Sequence, residues 1–139
     1  MTAHALCALS PAYVQAIAPY TTGKPISELA RELGLDESNI VKLASNENPL
    51  GIGTQAQAAI LNALPDLARY PDGNGFALKT KIAEKFGVHL NQIVLGNGSH
   101  DILELIAKAF LSPNSSAIFA QYAFAVYPLA TQAVGAKSI

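Results

Sequence analysis

The chain has 139 residues, 50% hydrophobic and 14% charged, which suits one globular domain with a real core and makes disorder a poor description. Nine Lys and Arg against ten Asp and Glu give a formal charge of -1, so the cationic face that nucleic acid requires is absent and no nucleic-acid partner is expected. The single cysteine, Cys7, excludes an internal disulfide and a Cys-based zinc site, no metal site is supported, and a reducing, cytoplasmic setting is the expectation. The first ten residues carry no Lys or Arg and are not expected to form a targeting signal. No window reaches the ~20 uncharged residues of a membrane span, so a soluble chain with no membrane partner is predicted.

Ser10 followed by Pro11 predicts an N-cap and first helical residue, opening a short helix that Pro19 stops. A second helix is predicted from residue 25 to Leu33, closing at Gly34. Residues 40–43 read as an extended piece leading into a polar loop at 44–51. Ala56, Ala59, Ile60, Ala63 and Leu64 then recur at helical spacing until Pro65. Residues 69–75 form a turn-rich connection in which Asn74 is placed to cap a helix carrying Leu78, Ile82 and Phe86 on one stripe, ending at Gly87.

Downstream the pattern alternates: a strand at 92–95, a helix at 99–111, a strand at 117–120, a helix at 124–134 stopped by Gly135, and the start of a strand at 137–139. Such β-α-β-α-β order predicts parallel strands with helical crossovers and an α/β architecture whose sheet is covered on both faces. A chain that stops within a strand is expected to be a truncated form of a longer domain.

The sharpest chemical feature is residues 95–101, LGNGSHD, where a strand passes through two glycines into a helix N-terminus. Free N–H groups and the positive end of the helix dipole suit a phosphate group, with Ser99 adding a hydroxyl or acting as N-cap. The same residues also suit a tight βα turn capped by Ser99 without a ligand. Asp101 in the first turn competes with a bound anion unless it points away. Neither a Walker lysine nor the third glycine of a dinucleotide fingerprint is present. Phe124 and Tyr127 open the next helix near the same sheet edge, where a ring stacks on a planar cofactor or packs in the core. His100 lacks a second metal ligand and reads as a surface or capping residue, and Glu104 with Lys108 forms an ordinary i,i+4 pair.

Three segments together, KLASNENPLG at 42–51, RYPDGNGFALKTKIAEKFGV at 69–88 and IVLGNGSHDILELIAKAFL at 93–111, resemble the N-terminal part of the histidinol-phosphate aminotransferases. These are fold-type-I enzymes dependent on pyridoxal 5'-phosphate (PLP). The resemblance implies an N-terminal arm and part of a small domain over residues 1–45. It also implies the first β-α-β-α-β part of an incomplete large cofactor-binding domain over 46–139. It implies that Gly98, Ser99 and His100 cradle the cofactor phosphate and that Phe124 stacks on the pyridine ring. Tyr70 is implied to reach the phosphate of the neighbouring subunit in a homodimer. Tyr20 is implied to help enclose the substrate, with residues 46–51, Asn48 and Gly51 among them, lining its entrance. Relatives usually carry Asp or Asn where this chain has His100; backbone donation survives that change.

The activity so implied moves an amino group between L-histidinol phosphate and 2-oxoglutarate, giving imidazole acetol phosphate and L-glutamate, in L-histidine biosynthesis. The Schiff-base lysine, the acidic partner of the pyridine nitrogen and the substrate-carboxylate arginine are expected beyond residue 139, so no catalytic residue is assigned within the chain and it is expected to be inactive alone. Lys24 lies in an N-terminal loop and is not that lysine. Alternatives are another fold-type-I enzyme, an aromatic aminotransferase or a phosphothreonine decarboxylase, and, in a different class, a non-enzymatic phosphate-binding or interaction module.

Overall fold

The structure is a computed structural model and describes residues 7–139; part of the N-terminal decapeptide read above lies outside the described residues. The chain divides into two compact units, residues 21–73 and residues 74–139 together with the N-terminal segment up to Tyr20.

In the first of these, α2 (Ile26–Leu33) starts one residue later than predicted, after extended Pro25, and ends at left-handed Gly34 as predicted. Its buried residue is Ala30, and Lys24 reaches back over the helix to Glu32 at 2.6 Å. Asp36 accepts from the Ser38 amide at 2.8 Å and from its hydroxyl at 2.7 Å, closing a 3-10 turn at Glu37–Asn39. These hydrogen bonds stabilise the ionised carboxylate and hold its pKa below the ordinary range. The next helix, α3 (Thr54–Ala63), runs into a 3-10 turn at Leu64–Asp66, where Pro65 ends regular helix. The predicted apolar stripe is present but not buried: Ile60 and Leu64 stay exposed.

In the second unit, α1 (Ala12–Gln15) begins one residue later than predicted. Pro11 is extended and takes the cap position, while the Ser10 hydroxyl donates to the Cys7 carbonyl at 2.7 Å. A similar shift affects α4 (Phe76–Phe86): the cap position falls on Gly75 instead of Asn74, with φ +60°. A side chain at Gly75 would adopt a disfavoured conformation and run into Leu95. Helix α5 (Ser99–Phe110), β1 (Ser116–Ala117), α6 (Val126–Ala133) and β2 (Lys137–Ser138) complete the chain.

The two strands pair in parallel, Ser116 with Lys137 and Ala117 with Ser138, and α6 is the crossover between them. The predicted strand at 92–95 does not form. Gln92 closes a 3-10 turn, Leu90–Gln92, and the extended backbone that follows at Ile93 joins no ladder. A strand exists through its neighbour, and apolar spacing alone supplies none. The sheet is accordingly a two-stranded ribbon rather than one covered on both faces, and Val94 and Ile118 are exposed.

The core of this unit lies between α5 and α6. Ala107 meets Val126 and Ala130, with Leu103, Leu111 and Val134 packed around them. Small residues allow the helices to approach closely, and Val126 keeps only 2% of its surface. Thr131 is also buried, and its hydroxyl donates to the Tyr127 carbonyl at 2.8 Å. This packing holds α5, and so the position of the turn that precedes it.

Candidate functional site

The turn before α5 is built from glycine. Gly98 occupies the N-cap with φ +87° and ψ 176°, a combination that side chains disfavour strongly, and its amide donates to the Gly96 carbonyl at 2.9 Å. Ser99 is therefore the first helical residue instead of the cap. The amides of Ser99, His100 and Asp101 have no carbonyl one helical turn earlier to donate to, and a Cβ added at Gly98 itself would meet nothing within 4 Å. A 12-residue helix adds its positive end to those donors, and the arrangement can take an anion.

The Asp101 carboxylate is engaged within the turn: its Oδ2 accepts the Asn97 amide at 3.0 Å, so it is turned back on the 96–97 side. The His100 imidazole runs along the helix, with Nε2 at 3.0 Å from Glu104 Oε1, while the other carboxylate oxygen of Glu104 accepts from Lys108 at 2.8 Å. Lys108, and after it His100, hold the Glu104 carboxyl below the usual range; Glu104 in turn raises the Lys108 ammonium. The Glu104 to Lys108 pair is the predicted one, and His100 joins it as an unpredicted third member. The spacing 100, 104, 108 carried that signal.

The aromatic candidates lie in the same unit as the turn. Phe124 precedes α6, its carbonyl accepts the Tyr127 amide at 3.0 Å, and its ring is 48% exposed. The Tyr20 ring stands perpendicular to it, at a centroid distance of 6.3 Å and an interplanar angle of 86°. This contact joins two candidates that the sequence reading treated separately. Tyr127 pairs instead with Phe119 at 6.1 Å.

The other candidates belong to the 21–73 unit. Asn48 organises its loop: Oδ1 accepts the Leu50 amide at 3.0 Å, Nδ2 donates to the Gly51 carbonyl at 3.1 Å, and its own carbonyl accepts the Gly51 amide at 3.2 Å. Ser45 and Asn46 both adopt positive φ, 73° and 49°. Lys42 pairs with Glu47 at 2.9 Å. Tyr70 is fully exposed. Among the described residues no group of His, Cys, Asp and Glu is placed to hold a metal ion, and no helix is long and apolar enough to cross a membrane.

Residues 38–139 match the family model of aminotransferase class I and II. The chain is 63% identical over 131 residues to histidinol-phosphate aminotransferase 2 of Pseudomonas fluorescens (strain Pf0-1), covering 94% of this chain and 35% of the relative. It is 63% identical over 132 residues to histidinol-phosphate aminotransferase 1 of Thiobacillus denitrificans, covering 95% and 34%. The chain thus spans about a third of the length of these curated relatives. Its backbone superimposes with a TM-score of 0.75 on a crystal structure of histidinol-phosphate aminotransferase from Sinorhizobium meliloti in complex with pyridoxal-5'-phosphate, at 19% identity, covering 94% of this chain and 34% of that one. This likeness shows that the fold is that of a fold-type-I enzyme, of which the chain represents a part. With most of its length inside the matched region, the chain belongs to the aminotransferase class I and II family.

Proposed function

We propose that the chain forms the PLP-phosphate cup and part of the substrate entrance of a histidinol-phosphate aminotransferase. The reading rests on one structural observation: a glycine-built turn leaves the first amides of α5 without carbonyls to donate to, with the competing carboxylate of Asp101 turned onto Asn97. The relatives' names support the substrate assignment.

The residues present fit the group. Gly98, Ser99 and His100 hold the phosphate through backbone N–H groups and the Ser99 hydroxyl; the imidazole is engaged by Glu104, so the part played by His100 is that of its amide. Phe124 offers a half-exposed ring to the pyridine face. Tyr70, free of packing on its own unit, serves the neighbouring subunit of a homodimer. Tyr20 encloses the substrate, and the loop that Asn48 and Gly51 stabilise lines the entrance. When bound, PLP supplies the electron sink that lets an amino group leave one carbon skeleton for another. The cup and the ring orient it and exclude water from one face.

In this reading residues 1–45 are the arm and part of the small domain, and 46–139 open the large domain. The whole protein transfers the amino group between L-histidinol phosphate and 2-oxoglutarate, in the cytoplasm. No lysine of the chain is assigned as the covalent anchor, and the chain contributes binding rather than catalytic residues.

The test is a PLP titration of the whole protein followed by transamination assays with L-histidinol phosphate and with phenylalanine as donors. Saturable cofactor absorbance, a preference for histidinol phosphate, and weaker PLP binding in Ser99→Ala are expected. A preference for phenylalanine transfers the assignment to an aromatic aminotransferase. Absence of any PLP response in the unsubstituted protein overturns the cofactor reading.

A further inference from the structure

The N-terminal arm is attached to α6 and its flanks at both ends. Near its start, the Tyr13 carbonyl accepts a hydrogen bond from Gln132 Nε2 at 3.2 Å. The Tyr13 ring lies so close to Gly135 that a Cβ there would meet Cε1 at 3.1 Å. At its far end, Tyr20 meets Phe124. Both attachments lie within one compact unit.

Phe124 needs such a neighbour. The residue is 48% exposed and is not among those packed on the α5–α6 core, and the rings of Phe119 and Tyr127 are paired with each other. A half-exposed phenylalanine without a fixed neighbour samples several rotamers. A perpendicular ring pair limits that sampling, yet leaves at least one face of Phe124 uncovered by its partner.

We infer that Tyr20 is a positioning residue for Phe124: the arm, held at Gln132 and Gly135, presents the Tyr20 ring to Phe124 and sets the pitch of the ring that stacks on the cofactor. The inference rests on the PLP reading for its consequence, although the ring contact itself does not. It assigns Tyr20 a role toward the cofactor that is separate from enclosing substrate, and that role belongs to the aromatic ring and not to the hydroxyl. Tyr20→Phe therefore preserves it, and Tyr20→Leu does not.

The experiment places 4-fluorophenylalanine at position 124 and compares the unsubstituted protein with Tyr20→Phe, Tyr20→Leu and Gln132→Ala. The fluorine resonance is recorded without cofactor, and the visible circular dichroism of PLP is recorded after titration. Tyr20→Leu is expected to shift and narrow the fluorine resonance, reduce the PLP dichroic band and weaken PLP binding by roughly 3- to 10-fold, the worth of one aromatic pair. Tyr20→Phe restores all three readouts, and Gln132→Ala gives a smaller change in the same direction. An unchanged fluorine resonance in Tyr20→Leu overturns the inference. So does an altered resonance with an unchanged dichroic band, or a higher substrate KM in both Tyr20 variants with cofactor binding unaffected. Absence of a PLP band in the unsubstituted protein instead overturns the cofactor reading, and the fluorine resonance alone then decides the ring contact.

Discussion

The turn before α5 and the loop at 45–51 are both short, polar and rich in turn formers, but they obtain their shapes in different ways. The first depends on glycine: Gly98 adopts a backbone conformation that side chains disfavour strongly, and a packed helix follows it directly. The second depends on the Asn48 side chain, which accepts from the Leu50 amide and donates to the Gly51 carbonyl, and it carries side chains at positive φ, on Ser45 and Asn46, as strain. A turn that presents amides to an anion must keep side chains out of the way, whereas a loop that borders an entrance can use them as its own scaffold. The two should respond to substitution with opposite signs.

The largest effect is expected at Gly98. Gly98→Ala forces a Cβ into a region worth about 1–3 kcal/mol of strain, although space around it is open. Urea unfolding should show a lower midpoint with unchanged slope, and a midpoint matching the parent would remove the backbone basis of the contrast. The opposite sign is expected at Ser45. Ser45→Gly relieves left-handed strain, a gain of about 0.5–1 kcal/mol after the added freedom of the unfolded chain is discounted. Destabilisation there would show that the Ser45 side chain supports the loop more than its conformation costs.

The smallest effect sharpens the helix side of the comparison. The Glu104 carboxyl is held below its ordinary range by Lys108 and His100, so its contribution is complete above the usual carboxylate pKa and is lost as pH falls through the depressed value. All three groups are exposed, so the far-ultraviolet helix signal should fall only slightly over that window, and Glu104→Gln should abolish the dependence. A drop that survives in Glu104→Gln would place the titrating group elsewhere.

Helices were legible in the sequence because their instructions are local. Gly34 and Gly87 end α2 and α4 where predicted, and the apolar spacing of α5 marks the face that meets Val126 and Ala130. The caps were less legible: at Ser10, Asn74 and Ser99 the expected polar residue lies one position from the residue that takes the cap, Pro11 in extended backbone and Gly75 and Gly98 at positive φ. The segment at 92–95 was misread because apolar residues in an extended run predict a strand only when a neighbour is available to pair with it. In the candidate site, the 95–99 turn was visible as a motif and Phe124 as a ring beside it. The Tyr20 to Phe124 contact had no local signal, since periodicity does not reach across a hundred residues.

The hydrogen bond from Gln132 to Tyr13 spans 119 positions. During translation at about 5–20 residues per second, Tyr13 is joined to the chain roughly 6 to 24 seconds before Gln132. Until then the nascent arm is unattached, and closing so wide a loop comes after α5 and α6 have met. A segment made well before α5 and α6 thus settles after them.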